Sequence, residues 1–166
     1  LPFTPGVEGC FEVVEVGANV TDWSVGDRVI GAPVLPHGAF AEEALLESAG
    51  AFAAPESLTN EEAAGLFIGY QTGWFGLHRR AALKEGETLL IHAAAGGVGS
   101  AAIQLGKAAG ARVIGVVGGE AKAEYAKALG ADIVIDRKTE DFVQVVKEAT
   151  GGRGADVIYD PVGGET

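Results

Sequence analysis

One segment near the middle of the chain constrains the fold more than any other: Leu90-Ile-His-Ala-Ala-Ala-Gly-Gly-Val-Gly-Ser-Ala-Ala-Ile-Gln-Leu105. Its apolar start, glycine-rich centre and alanine-rich end predict a strand, a turn and a helix. In the turn Ala94-x-Gly96-x-x-Gly99, Gly96 allows a sharp bend close to a pyrophosphate, and Gly99 allows close packing of helix on strand. A tight strand-to-helix connection alone would also need glycines, but the surrounding strand and helix favour a dinucleotide site.

The same alternation of strand and helix continues from Gly86 to the end of the sequence. Strands are predicted at Thr88–His92, Arg112–Val117, Asp132–Ile135 and Asp156–Asp160, with helices near Val98–Ala109, Glu120–Leu129 and Thr139–Ala149. This pattern is typical of parallel βαβ units whose strands are covered on both faces. Doubly wound nucleotide folds have about six strands, so we expect the sequence to be a fragment of a longer protein.

The first part of the chain has a different pattern, with short β-type runs at Phe11–Val16, Arg28–Ala32 and Ala39–Leu46 between glycine-, proline- and asparagine-containing turns. Such spacing predicts a small antiparallel sheet or partial barrel. Thr59 is a predicted helix N-cap, because Glu61 and Glu62 follow in what would be the first turn. We expect this helix to be interrupted at Gly69–Thr72 and to restart after it.

Charge and cysteine content exclude several classes of protein. The 166 residues include 23 acidic and 12 basic side chains, which gives a net charge of −11. This charge disfavours nucleic acid and anionic membranes as main partners. One cysteine, Cys10, cannot form an internal disulfide, and there is neither a signal-peptide pattern nor a run of about 18 apolar residues. We therefore expect a cytoplasmic protein that acts on a small molecule.

The residue that distinguishes NAD from NADP is expected at the end of the second strand, about 20 residues after the glycine turn. An NAD site has a carboxylate there, whereas this chain has Val117-Gly118-Gly119. Glu120 begins the next helix, where an acid that stabilises the helix dipole is an equal explanation. Lys122 and Arg137 are predicted at the same edge and favour a 2′-phosphate, and hence NADPH, although each could be a solvated surface charge.

A set of short segments carries a family resemblance: Pro5–Gly9, Val13–Gly17, Val25–Val29, Gly69–Trp74, His92–Gly99 and Asp160–Gly164. In this order they resemble the zinc-independent quinone oxidoreductase (zeta-crystallin-like) branch of the medium-chain dehydrogenase/reductase superfamily. The resemblance implies an α/β fold: a partial GroES-like β domain at residues 1–70, followed by a truncated Rossmann-type doubly wound parallel sheet at residues 71–166.

The resemblance also implies a set of cofactor-binding residues. The pyrophosphate is expected to face Ala95, Gly96, Gly97 and Val98, and the adenosine 2′-phosphate of NADPH is expected to lie among Gly118, Lys122 and Arg137. Many relatives have tyrosine at the position of Arg137, and an arginine offers a planar fork to a phosphate instead. Thr72 matches a position near the nicotinamide and Val162 one in a loop beside the cofactor, although Thr72 could be a helix N-cap and Val162 a core residue.

No metal is expected. Zinc-dependent relatives have Gly-His-Glu where this chain has Gly6-Val7-Glu8, and their four-cysteine zinc lobe is absent. Cys10, His37, His78 and His92 lack the spacing of a zinc site. Without a Lewis acid, alcohol–aldehyde interconversion is disfavoured, whereas quinones and α,β-unsaturated carbonyls accept hydride more easily.

The resulting expectation is an NADPH-dependent reductase of quinones or other activated alkenes, which forms a homodimer as a full-length protein. Tyr70 is the best-placed candidate proton donor, but a packed helix-end aromatic explains it better, so the catalytic residues remain unassigned. The alternatives are an enoyl-thioester reductase of the same superfamily, a non-catalytic NADPH-binding protein such as a crystallin, and a fragment that is inactive alone.

Overall fold

The computed structural model describes residues 2–164. The chain divides into two compact units, which we call the β unit and the α/β unit, between Ile68 and Gly69. The two units are defined by contacts within each part of the chain. The domain boundary between residues 70 and 71 stays a prediction.

The β unit is built on a small antiparallel sheet. Its strands are β1 (Gly9–Glu12), β2 (Arg28–Gly31) and β3 (Phe52–Ala53), in the order β1-β2-β3. A single 3-10 turn, Ser48–Gly50, precedes β3, and helix α1 (Asn60–Ala64) follows it. The small core contains Ile30, Ala54 and Ala63.

Helix α1 begins at the residue that the sequence predicts. The Thr59 hydroxyl accepts from the Glu62 N–H at 3.3 Å, and the Glu62 carboxylate accepts from the Thr59 N–H at 2.9 Å. This reciprocal pair satisfies two N–H groups that a helix start would otherwise leave without partners. The Arg28 guanidinium of β2 donates to Asn60 Oδ1 at 2.8 Å and to the Leu58 carbonyl at 2.8 Å, so it ties the start of α1 to the sheet.

The predicted third β-type run, Ala39–Leu46, is not a strand. Within the described part of the chain its one bridge joins its last residue to Pro33. The N–H groups of Ala39 and Phe40 instead donate to the carbonyl oxygens of residues 6 and 5, at 3.0 and 2.9 Å. These contacts tie the start of the run to residues 5 and 6, which lie outside the β1-β2-β3 sheet.

The α/β unit has a parallel sheet with helices between its strands. Its elements are α2 (Phe67–Trp74, which contains the division between the units), a π-helical segment (Phe75–Arg80), β4 (Thr88–Ile91), α3 (Gly97–Ala108), β5 (Arg112–Val117), α4 (Glu120–Ala128), β6 (Ile133–Asp136), α5 (Phe142–Ala149) and β7 (Val157–Tyr159). The strand order is β6-β5-β4-β7, with all pairs parallel. The predicted α/β fold class is confirmed.

The predicted helix interruption at Gly69–Thr72 is wrong, because α2 is continuous there and the break after α1 lies at Gly65–Leu66. A Cβ atom on Gly69 would lie 3.5 Å from a carbonyl oxygen of α3, and one on Gly73 would lie 2.8 Å from Leu105 Cδ1. Gly73 therefore allows α2 to pack closely on α3, whereas a methyl group at Gly69 would make an ordinary contact, and neither glycine ends the helix.

The parallel sheet is covered on both faces. Alternate residues of a strand point to opposite faces, and two separate clusters result. One contains Leu89, Ile91, Val113 and Val117 together with residues of α3 and α4. The other contains Leu90, Ile114, Val116 and Ile135 together with Val146 of α5. This two-sided burial explains the nearly continuous apolar character of β4 and β5.

Candidate functional site

The glycine turn places the start of α3 directly against the end of β4. Gly96 is the N-cap of α3, with φ −84° and ψ 170°. Gly99 is buried, and a Cβ atom there would lie 2.3 Å from the Ala93 carbonyl oxygen. Only glycine fits at this position, as predicted from its spacing. The first N–H groups of a helix have no partner within the helix and can bind an anion.

A second glycine turn follows β5. Gly118 and Gly119 connect β5 to α4, and Gly119 is the N-cap of α4 with φ +106°, a conformation that favours glycine. The Gly119 N–H donates to Asp136 Oδ1 at 2.9 Å. This turn is therefore fixed by a side chain from the end of the neighbouring strand.

Asp136 at the end of β6 also fixes the turn that follows it. Its Oδ1 accepts from the Lys138 N–H at 3.0 Å, and the Arg137 N–H donates to the Val117 carbonyl at 3.0 Å. The hydrogen bonds from Lys138 and Gly119, together with the charges of Lys138 and Arg137, hold the pKa of Asp136 below its ordinary value. The group is thus a carboxylate at neutral pH.

A cavity of about 460 Å³ lies at the carboxyl ends of these strands. The predicted binding residues that line it are Ala95, Gly96, Gly118, Lys122, Arg137 and Val162. The other predicted residues lie elsewhere: Thr72 is an exposed residue of α2, and Gly97, Val98 and Gly99 form the first turn of α3. Their roles in cofactor binding stay predictions.

Three cationic side chains line this cavity, and the described lining includes no carboxylate. Lys122 and Arg137 were expected, whereas Lys138 was missed. A Cβ atom on Gly118 would lie 3.5 Å from Arg137 Nε, and one on Gly119 would lie 3.6 Å from Lys138 Nζ. Both side chains therefore extend back over the glycine turn. The adjacent bases of the Arg137-Lys138 pair were the available signal, because the turn is short enough for both to reach the same edge.

The remaining lining includes the end of β4 and the loop after β7. The His92 ring packs edge-to-face on Phe142 with 4.9 Å between ring centres. Asp160 accepts from the N–H groups of Val162 and Gly163 at 2.9 and 3.1 Å, and these bonds lower its pKa. Asp160 thus shapes the loop that brings Val162 to the cavity.

Tyr70 does not line the cavity. Its hydroxyl accepts from the Gln104 side-chain amide at 2.5 Å, and burial raises the pKa of Tyr70, so the phenol stays protonated at neutral pH. In the β unit, the Glu8 carboxylate accepts from the Ile68 N–H at 2.6 Å, which is a structural contact. Neither residue is assigned a catalytic role.

Residues 2–164 contain neither a cluster of metal-binding side chains nor a helix that could span a membrane. No three histidine, cysteine or carboxylate side chains in that range are grouped so that they could hold a metal ion. No helix in that range combines the length and apolar character needed to cross a membrane.

Comparisons with known proteins agree with this architecture. Residues 1–82 match the family described as "Alcohol dehydrogenase GroES-like domain", and residues 97–166 match "Zinc-binding dehydrogenase". The curated 2-haloacrylate reductase of Burkholderia sp is 41% identical over 167 residues, which is 99% of this chain and 50% of that protein.

Solved structures give the same result. The quinone oxidoreductase of Pseudomonas syringae pv. Tomato DC3000 is 43% identical with a TM-score of 0.86, over 99% of this chain and 50% of that one. A mycobacterial protein solved in complex with NADPH is 38% identical with a TM-score of 0.88, over 99% of this chain and 51% of that one. The chain spans about half the length of the curated relatives it matches. It belongs to the medium-chain dehydrogenase/reductase superfamily, as its sequence segments predicted.

Proposed function

We propose that the protein is an NADPH-dependent oxidoreductase that reduces quinones or other activated alkenes by hydride transfer without a metal. One observation carries the cofactor assignment: Lys122, Arg137 and Lys138 line a cavity at the strand ends, where an NAD-specific site has a carboxylate. Cytoplasmic location and homodimer formation remain expectations for the full-length protein.

The residues present fit a dinucleotide phosphate. Because Gly99 has no Cβ atom, the Ala93 carbonyl can occupy the space beside it, and α3 can start close to the end of β4. The start of α3, with Ala95, Gly96, Gly97 and Val98, would hold the pyrophosphate. The three cations with Gly118 would hold the 2′-phosphate, Thr72 would lie near the nicotinamide, and Val162 would lie in a loop beside the cofactor. NADPH supplies hydride when it is bound.

The proposed substrates follow from the donor set of the chain. Val7 has an isopropyl group where zinc-dependent relatives have an imidazole ligand. An acceptor whose conjugation already withdraws electrons needs less polarisation than a simple carbonyl, so orientation in a dry site supplies much of the rate. The names of two relatives, a 2-haloacrylate reductase and a quinone oxidoreductase, agree with this class of acceptor.

The substrate proposal is tested by following NADPH oxidation at 340 nm with 1,4-benzoquinone, 2-chloroacrylate, crotonyl thioester and acetaldehyde. We expect turnover with the first two acceptors, little with acetaldehyde, and no loss after dialysis against a chelator. Turnover confined to the crotonyl thioester would support the enoyl-thioester reductase instead. Tight NADPH binding without any turnover would support a binding protein.

The cofactor proposal is tested by the double substitution Lys122→Ala and Arg137→Ala. Because each base would pair with the 2′-phosphate, we expect NADPH affinity to fall by about 10-fold or more and NADH affinity by less than about 3-fold. Lys147→Ala is the matched control, since Lys147 is an exposed base of α5 that does not line the cavity. Equal losses of affinity for NADPH and NADH would contradict the assignment of these bases to the 2′-phosphate.

A further inference from the structure

We propose that Asp136 is a positioning residue for cofactor selectivity, because one of its carboxylate oxygens joins the turn that begins α4, the helix of Lys122, to the turn that carries Arg137 and Lys138, and so sets the spacing of the three cations. This inference rests on the proposed NADPH function and adds to it the residue that prearranges the phosphate site. Asp136 itself would make no contact with the cofactor.

The geometry around Asp136 Oδ1 supports this role. The oxygen accepts from the Gly119 N–H at 2.9 Å and from the Lys138 N–H at 3.0 Å. Gly119 is the N-cap of α4, the helix that carries Lys122 in its first turn, and Lys138 directly follows Arg137. A single atom is thus bonded to both segments that present the cations.

The turn after β5 depends on this bond more than an ordinary turn would. Gly118 and Gly119 are consecutive glycines, the residues with the largest backbone freedom to lose on ordering. Gly119 has φ +106° and no side chain of its own to cap α4. The carboxylate of Asp136 therefore restricts a turn whose sequence leaves it free to move.

The turn after β6 begins at Asp136 and is held by its main chain. The Asp136 N–H donates to Glu140 Oε2 at 2.9 Å, and the Asp136 carbonyl accepts from the N–H groups of Thr139 and Glu140 at 3.0 and 2.9 Å. The main chain of Asp136 thus fixes its own turn, while its side chain joins that turn to the one after β5. Binding to a preformed site avoids the entropic cost of ordering the two turns on contact.

The charge of Asp136 works in the opposite direction from its geometry. A carboxylate near a phosphate repels it, and the charged groups around Asp136 are Arg137, Lys138 and Glu140. If charge dominated, removal of the carboxylate would favour NADPH. If position dominates, an acceptor of the same shape without charge keeps the site, while loss of the acceptor weakens NADPH binding.

Asparagine and alanine substitutions separate these two effects. Asp136→Asn keeps an oxygen that can accept both N–H bonds, so we expect NADPH and NADH affinities within about 3-fold of the unsubstituted protein. Asp136→Ala removes the acceptor, and we expect NADPH affinity to fall by about 10-fold with NADH affinity within about 3-fold. Affinities are measured by calorimetric titration, with thermal melting to show that each variant is folded.

Asp141→Ala is a matched control, because Asp141 caps α5 through the same kind of side-chain bond to the N–H groups of Val143 and Gln144. It should lower stability without a change in the NADPH-to-NADH affinity ratio. If Asp136→Ala does not fold, Asp136→Ser, whose hydroxyl is too short to reach both N–H groups, replaces it with the same expected loss.

The inference is overturned if loss of the acceptor leaves the affinity ratio unchanged, or if Asp136→Asn weakens NADPH binding as much as Asp136→Ala does. Its failure is distinct from failure of the proposed function. If only the role of Asp136 is wrong, the unsubstituted protein still prefers NADPH and loses that preference in the Lys122→Ala and Arg137→Ala variant. If the proposed function is wrong, the unsubstituted protein has no preference for NADPH over NADH.

Discussion

The two units of the chain differ in how deeply they bury their apolar residues. The largest fully buried side chains all belong to the α/β unit: Leu77, Leu89, Ile91, Ile103, Ile114, Ile135, Val113 and Val116. In the β unit, Phe3, Phe40 and Phe52 are 69%, 77% and 54% exposed. A parallel sheet covered on both faces buries successive residues of a strand alternately in one of two cores, whereas the strands of the β unit, two to four residues long, have little cover.

This difference explains where the candidate site can be built. Turns that must hold a phosphate to within a fraction of an ångström need a rigid support. The turns after β4, β5 and β6 follow strands of the buried sheet and are joined to each other by Ala94, Arg137 and Asp136 through main-chain or side-chain hydrogen bonds. Substitutions in each unit therefore test this contrast in packing.

The largest effect is expected for a truncation in the core of the α/β unit. Ile114 is fully buried, so Ile114→Ala should reduce the free energy of unfolding by about 2–5 kcal/mol. Phe52→Ala in the β unit should cost about 1 kcal/mol, because Phe52 is half exposed and its ring contacts that of Phe67. Urea unfolding measures both losses of stability. Trp74 fluorescence in a Trp23→Phe background follows the α/β unit, and Trp23 fluorescence in a Trp74→Phe background follows the β unit. Similar losses would contradict the contrast.

An intermediate effect is expected at the glycine turn. Gly99→Ala places a Cβ atom 2.3 Å from the Ala93 carbonyl oxygen and should destabilise the α/β unit by about 1–3 kcal/mol. Gly97→Ala is the control: a Cβ atom there meets nothing within 4 Å, and alanine favours a helix by up to about 1 kcal/mol. Melting temperatures that fall equally for both variants would show that helix α3 does not pack closely against Ala93.

The smallest effect concerns an ion pair at the edge of the α/β unit. Asp132 accepts from Lys107 Nζ at 2.8 Å and from the Val113 N–H at 2.7 Å. Burial raises the pKa of Asp132, but these hydrogen bonds and the charges of Lys107 and Arg112 outweigh it, so the pKa lies below its ordinary value. The stability from this lowered pKa is complete above the unfolded-state pKa of about 3.9 and is lost as the pH falls through the folded-state pKa.

Asp132→Asn should therefore cost about 0.2–1 kcal/mol at pH 7, because the pair is more than one-third exposed. The difference from the unsubstituted protein should shrink as the pH falls below about 4. Urea unfolding at a series of pH values measures it. A difference that stays constant down to about pH 2 would show that the charge of Asp132 does not contribute to stability.

The sequence predicts the α/β unit better than the β unit, for a physical reason. In β4 and β5, every apolar residue is buried by local βα alternation, so the pattern alone defines the strands. Ala39–Leu46 has an equally β-like composition, but hydrogen bonds to residues 5 and 6 decide its structure, and no local pattern encodes contacts over such a separation. The Gly69–Thr72 segment shows the same limit, since a glycine inside a continuous helix cannot be distinguished from one that breaks a helix by sequence.

The candidate site was predicted in part for the same reason. Strand ends locate Gly96, Gly118 and Arg137, because parallel strands bring their carboxyl ends to one edge. Lys138 was missed, since a second base after a strand is most often a solvated charge. The role of Asp136 depends on a bond from its side chain to a main-chain N–H on another strand end, which spacing does not predict.

The central claim is that the cationic cavity binds a cofactor with a 2′-phosphate. Calorimetric titration of the unsubstituted protein with NADPH and with NADH at low ionic strength tests it directly. We predict that NADPH binds at least about 10-fold more tightly, and that this ratio narrows as salt screens the exposed cations. Equal affinity for the two cofactors, or tighter binding of NADH, would contradict the account.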